Sequence, residues 1–276
     1  MWLDPLRADP GLALRNLSHG ERIRTEASQQ PSTDWKQKLQ PLPVRDRGYA
    51  NPTLLVETDW LADHLTDSNV RVIDARFPNE YAAGHVPGAV NLNGFGGIPR
   101  APDGDMASPD EFASLAGNLG ISNDMTVVVY DAPSQMMGMV AWAFLYYGHL
   151  DVRILDGGLA KWSREHRPIS TEVVDYPRAI FIPKPQETLY CSLNQAKIAV
   201  SQPKTVFWDT RSLKEFEGTA LAGYGAPLRL GRIPGAVHLD WRELFDQDTK
   251  TLKPAKALHA LLESRGITPD YEIDTY

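Results

Sequence analysis

Among the 276 residues there is a single cysteine, Cys191. A lone thiol excludes an internal disulfide framework and a zinc site built on several cysteines, and it fits a reducing compartment. Long apolar runs are also missing. The longest, Met136 to Tyr147, has about 12 residues where a bilayer-spanning helix needs roughly 20, so it reads as a buried core helix. There is no basic excess: 28 Lys and Arg stand against 35 Asp and Glu, a net charge of −7 that disfavours a general partner for nucleic acid or anionic membrane. The first residues, Met1-Trp-Leu-Asp-Pro, lack the basic start and apolar block of a secretory leader. No two histidines lie at helical ligand spacing, so no metal site is expected. These absences together predict a soluble cytoplasmic protein.

What is present is an ordinary globular mixture, 42% hydrophobic and 23% charged, long enough for two domains. Residues 1–48 mix charges of both signs with Gln, Ser and Pro, show no period, and read as a loose N-terminal extension. Beyond them the chain repeats itself. Val70-Arg-Val-Ile-Asp74-Ala-Arg76 with Glu80-Tyr81 returns about 135 residues later as Thr205-Val-Phe-Trp-Asp209-Thr-Arg211 with Glu215-Phe216. Gly84-His-Val-Pro-Gly-Ala-Val90 returns as Gly231-Arg-Ile-Pro-Gly-Ala-Val237, and Gly120 to Tyr130 returns as Gly266 to Tyr276. The second copy gains about 12 residues between Glu217 and Leu230. The organisation read from this is a first domain over 49–170, a Pro-rich stiff linker over 171–188 and a second domain over 189–276.

Within the first copy, short β-branched blocks at Val70–Asp74, Thr126–Tyr130 and Val152–Leu155 predict strands of a parallel sheet covered on both faces. Amphipathic stretches over Thr58–Leu65, Ser108–Leu119, Gln135–Gly148 and Leu159–Glu165 predict the intervening helices, so the class is α/β.

Asp74-Ala-Arg76, Gly84-His-Val-Pro-Gly-Ala-Val90, Val127-Val-Val-Tyr130 and Leu155-Asp-Gly-Gly-Leu-Ala-Lys-Trp162, in this order and largely duplicated, resemble the tandem-domain rhodanese family of thiosulfate and 3-mercaptopyruvate sulfurtransferases. The resemblance runs from about Asn51 to Tyr276. It implies two rhodanese-like domains, each a parallel five-stranded sheet flanked by helices, with a site between them and the nucleophile in the second. It implies transfer of sulfane sulfur from a small-molecule donor to a thiol or cyanide through a cysteine persulfide, with no cofactor. In the family the nucleophile follows the strand that ends here at Tyr276; its counterpart in the first copy is Asp131, which cannot carry a persulfide. The second domain is therefore expected to stop before the active-site loop, and the 276-residue chain to be inactive.

Candidate site residues follow with their plainer alternatives. Asp209 and Arg211 could face an anionic donor, yet the same pair stands at Asp74 and Arg76, which favours a structural charge network. Arg229 and Arg232, in or beside the insertion of the second copy, could bind thiosulfate or a carboxylate, or could line a surface loop. Cys191, just ahead of the capping Ser192, reads as an incidental thiol. His85 reads as a packing residue, and Asn93-Gly-Phe-Gly-Gly97 lacks the spacing of a phosphate loop. A non-catalytic rhodanese-like binding or regulatory module is the alternative function. A phosphatase of the related fold ranks last, because no cysteine is followed six positions on by arginine.

Overall fold

Blocks of Val, Ile and Thr between turn-forming residues become strands, and the stretches with helical period between them become helices. In the computed structural model, which describes residues 41–102, 104–132, 136–220 and 230–276, the first half runs β1 (Leu55–Val56), α1 (Thr58–His64), β2 (Val70–Asp74), α2 (Pro78–Ala83), β3 (Val90–Asn91), α3 (Pro109–Asn118), β4 (Thr126–Tyr130), α4 (Met136–Tyr146), β5 (Val152–Leu155) and α5 (Gly158–Arg164). The second half runs α6 (Leu193–Ala199), β6 (Thr205–Asp209), α7 (Leu213–Glu217), β7 (Val237–His238), α8 (Ala255–Glu263) and β8 (Glu272–Thr275). Residues 1–40, most of the expected extension, lie outside the described residues, as do residue 135, the first of the expected helix 135–148, and residues 221–229 of the insertion.

Strands β1 to β5 form one parallel sheet in the order β1-β5-β4-β2-β3. Alternate side chains of β4 go to opposite faces, as the pleat requires. Val127 and Val129 join a cluster with Phe112, Phe144 and Tyr147, while Val128 and Tyr130 join one with Leu61, Val86 and Trp162. Helix α3 starts where Ser108 accepts from the Glu111 N–H and Glu111 reaches back to Ser108, a reciprocal cap that satisfies free donors at the helix start. The apolar block read from the sequence is α4, buried along most of its length.

A second parallel sheet holds three strands in the order β7-β6-β8. Its β6–β7 register reproduces that of β2 with β3: Ile73 pairs with Val90 as Trp208 pairs with Val237, and Asp74 pairs with Asn91 as Asp209 pairs with His238. The turns that lead into β3 and β7 match as well. Gly88 and Gly235, each after a proline, both sit at φ +78°, and each turn closes with an N–H to carbonyl bond, Ala89 to Val86 and Ala236 to Ile233. Proline followed by a left-handed glycine is what a type II turn demands.

Two segments between the periodic elements turn out to be ties. Within residues 171–188 Ala179 N–H bonds the Gly117 carbonyl, Lys184 N–H bonds the Tyr147 carbonyl, and Phe181 is buried, so the stretch straps the first half. Residues 44–49, read from the sequence as the end of a loose extension and the first domain residue, are anchored. Val44 is buried, Arg47 Nη2 lies 2.7 Å from Asp156 Oδ2 with both side chains 1% exposed, and the Tyr49 hydroxyl donates to the Leu252 and Lys253 carbonyls. Leu252 N–H donates to Asp156 Oδ1, so this buried pair joins the two halves. Among the described residues no helix is long and apolar enough to cross a membrane.

Candidate functional site

Each Asp-x-Arg repeat folds into the same clamp, because a carboxylate at a strand end can accept both from the backbone N–H two residues on and from the guanidinium of that same residue. In the second half Asp209 Oδ1 accepts from Arg211 N–H at 3.0 Å and Nε at 2.9 Å, and Asp209 Oδ2 accepts from Nη2 at 2.6 Å. Arg211 Nη2 also donates to the Gly231 carbonyl at 2.9 Å. In the first half Arg76 repeats every one of these bonds with Asp74, and its Nη2 reaches the Gly84 carbonyl at 2.7 Å. Bidentate pairing of this kind fixes a guanidinium in both distance and plane.

A tyrosine closes each clamp. The Tyr130 hydroxyl donates to Asp74 Oδ2 at 2.8 Å and accepts from Val86 N–H at 2.9 Å. Tyr276 occupies the matching place: its hydroxyl accepts from Ile233 N–H at 3.1 Å, and Arg211 lies 5.3 Å from its ring centre. Burial pushes the Asp209 carboxyl up, but the hydrogen bonds from Arg211 and Tyr276 outweigh it and hold the group below the ordinary carboxylate range. Burial, with the neighbouring Asp209 charge, raises the Tyr276 phenol. The Tyr276 carbonyl accepts from both the N–H and the hydroxyl of Thr210, where the first half has only the Ala75 N–H on Tyr130.

Of the four residues singled out from the sequence, Asp209 and Arg211 are brought together. Arg232 is not added to them. It is exposed, its guanidinium lies 4.3 Å from the ring centre of Phe216, and its Nη1 donates to the Phe216 carbonyl. Arg229 lies outside the described residues. His85 is a packing residue, stacked on Tyr81 and within hydrogen-bond reach of the Tyr81 and Glu172 carbonyls.

Cys191 sits at the edge of the second sheet. Burial raises its thiol, and the carboxylates of Asp274 and Glu272 raise it further, so protonated sulfur is favoured and nucleophilicity is low. In the first half Asp131, the residue after Tyr130, is fully buried and accepts at Oδ2 from Met137 N–H at the start of α4. A carboxylate there complements the positive end of the helix.

Sequence reasoning passed over a third clamp. Asp240 accepts from Arg242 N–H and Nε at 3.0 and 2.8 Å, and also pairs with its Nη2. The signal was present, since Asp240-Trp-Arg242 has the same spacing as the other two, but it falls outside the duplicated segments.

Comparison with known proteins agrees with this geometry. Residues 57–165 match the family described as the rhodanese-like domain. The chain is 39% identical over 243 residues to the sulfur carrier protein TtuD of Thermus thermophilus, covering 83% of this chain and 84% of that one. It is 31% identical over 233 residues to a putative thiosulfate sulfurtransferase of Mycolicibacterium smegmatis, covering 82% and 83%. Among solved structures, the 3-mercaptopyruvate sulfurtransferase SseA of Escherichia coli superposes with a TM-score of 0.70 at 27% identity, over 80% of this chain and 87% of that one. A parallel five-stranded sheet, an Asp-x-Arg clamp built twice and these relatives lead to one conclusion: the chain belongs to the rhodanese family of sulfurtransferases.

Proposed function

We propose that the two halves are tandem rhodanese-like domains, residues 49–170 and 189–276 joined by 171–188, of which the second is the sulfur-handling type. The reaction supported by the family is transfer of sulfane sulfur from thiosulfate or 3-mercaptopyruvate to a thiol or cyanide. A cysteine thiolate attacks the outer sulfur of thiosulfate, the S–S bond breaks and sulfite leaves with the bonding pair. Cyanide then takes the terminal sulfur of the persulfide, thiocyanate leaves and the thiolate returns. Such chemistry requires a thiol with lowered pKa among converging donors.

The observation that carries the reading is the matched clamp: Tyr276 stands to Asp209 and Arg211 as Tyr130 stands to Asp74 and Arg76. The nucleophile belongs at the position following Tyr276, the counterpart of Asp131. Cys191 is the wrong thiol, being raised by burial and two carboxylates and placed ahead of α6. Cys191 does not stand in for that nucleophile. Arg211 is first a structural partner of Asp209, and Arg229 and Arg232 are the candidates for meeting a donor anion, with a plain surface loop as the equal alternative.

Thiocyanate release with thiosulfate and cyanide, and pyruvate release from 3-mercaptopyruvate with a thiol, test this directly. The expected rates for the 276-residue chain equal those of its Cys191→Ser variant and of buffer. Turnover that the Cys191→Ser change abolishes would overturn the assignment. The same environment of Cys191 favours a second reading, a non-catalytic rhodanese-like module. A chain carrying cysteine directly after Tyr276 and the rest of the loop, yet showing no turnover, would support it.

A further inference from the structure

We infer that the strap over residues 179–184 is a proton-gated tether, released from the first half when His149 beneath it takes up a proton. His149 lies just beyond α4 and is 1% exposed. Its ring is walled by Phe144, edge to face at 5.8 Å between centres, and by Phe181 of the strap at 6.0 Å. Neither ring nitrogen has a hydrogen-bond partner among the described residues. The charged ring would carry an N–H on both nitrogens, and a charge with donors shut in among apolar rings is costly.

The charge that faces the ring is the Asp151 carboxylate. It already accepts from the Thr126 hydroxyl at 2.7 Å and pairs with Arg153 at 2.7 Å. Asp124 on the loop before β4 and Lys184 of the strap are exposed. Asp151 and the main chain of Met125 favour the charged ring, but burial prevails and holds the imidazole below its ordinary value.

Of the two walls, the strap is the one that can lift. Phe144 is part of a buried helix, whereas Phe181 stands between Ile180 and Ile182, which are 81% and 61% exposed. The stretch is fastened by separate bonds: Ala179 N–H to the Gly117 carbonyl, Ile182 N–H to Asn123 Oδ1, and Lys184 N–H to the Tyr147 carbonyl. Segments held in this way open at lower free energy than core helices and strands. Lifting Phe181 lets water reach the imidazole and leaves β4 in place. A histidine held low contributes stability that is present above its unfolded value, about pH 6.5, and is lost as pH falls below it. The chain runs on from the strap into α6, so the gate sets how firmly the second half is moored on this side.

Hydrogen exchange of the 276-residue chain tests this through the protection factors of the Ala179, Ile182 and Lys184 amides. Between about pH 7.5 and pH 5.5 their protection is expected to fall about tenfold, the factor by which protonation of a water-exposed histidine favours the released state. Protection in β4 should not change. His149→Leu keeps an apolar body without a proton and is expected to hold the strap equally at both values. NMR titration of the His149 ring, which needs no variant, is expected to run below about pH 6.5. Strap protection independent of pH, an equal loss in β4, a pH dependence that survives His149→Leu, or a ring that titrates at or above its ordinary value overturns the inference.

Discussion

The two halves carry one motif in two settings. In the first, β4 has a partner on each side and all five of its residues are buried; in the second, β8 pairs only with β6 and none of its residues is buried. Helix α1 buries Leu61 completely, whereas α6 and α8 bury no residue. Both apolar clusters are built from buried first-half residues and Phe181 of the strap, with Tyr190 and Phe245 the second half's contributions at the margin. The clamp follows its setting: the Arg76 side chain is 8% exposed and that of Arg211 is 28%. The same sequence signature thus makes the same hydrogen bonds in both places but is sealed from water only where a full sheet surrounds it. Removing one partner of a charge pair costs more as water is excluded, because the other charge is left buried and uncompensated.

That contrast can be broken most sharply at the aspartates. Asp74→Ala strands the buried Arg76 and removes the acceptor of Tyr130, so a loss of about 3–5 kcal/mol is expected in urea unfolding. Asp209→Ala leaves a guanidinium that water can reach and should cost about 1–3 kcal/mol. Equal losses would abolish the contrast. Hydrogen exchange sharpens it further: backbone amides of β8 should exchange at least roughly tenfold faster than those of β4, because a strand paired on one side opens more readily.

The smallest effect is on pH. Asp209, Asp240 and Asp246 are held below the ordinary carboxylate range; burial opposes this in all three, and hydrogen bonds from Arg211, from Arg242 and from the backbone of Thr249 bring it about. A depressed carboxyl contributes stability that is present above its unfolded value, near pH 4, and is lost as pH falls through the folded value. Asp156 runs the opposite way, since burial raises it despite Arg47. Asp151 and Glu165 of the first half are lowered as well, so acidification withdraws stability from both halves. Asp209→Asn should make the decline of stability below about pH 4 shallower, as followed by near-UV circular dichroism.

Much of the first half was legible in its residues. Val70–Asp74, Thr126–Tyr130 and Val152–Leu155 are strands at the expected bounds, because a β-branched run between turn formers has no helical alternative of equal quality. The expected helices over Thr58–Leu65, Ser108–Leu119 and Leu159–Glu165 appear as α1, α3 and α5 with ends moved by one residue, as frayed termini allow. The two-residue strands β1 and β3 have no period to read. Nor did 44–49 or 171–188 advertise themselves as ties, since a Pro-rich or mixed-charge segment looks alike whether it is solvated or strapped to a surface.

At the candidate site the sequence brought Asp209 to Arg211 by spacing alone, while the third clamp at Asp240 passed unseen. Spacing of two along the chain is enough to build a clamp, because every bond in it is local to three residues. A cavity walled by Asp131 on one side and Trp241 on the other joins residues more than a hundred positions apart. Family, strand order around the duplicated motifs and the identity of the clamp residues were thus determined by the amino-acid order itself. Which arginine is sealed and where the halves leave a cavity were decided only by packing, since burial and electrostatic surroundings arise when distant segments meet and exclude water.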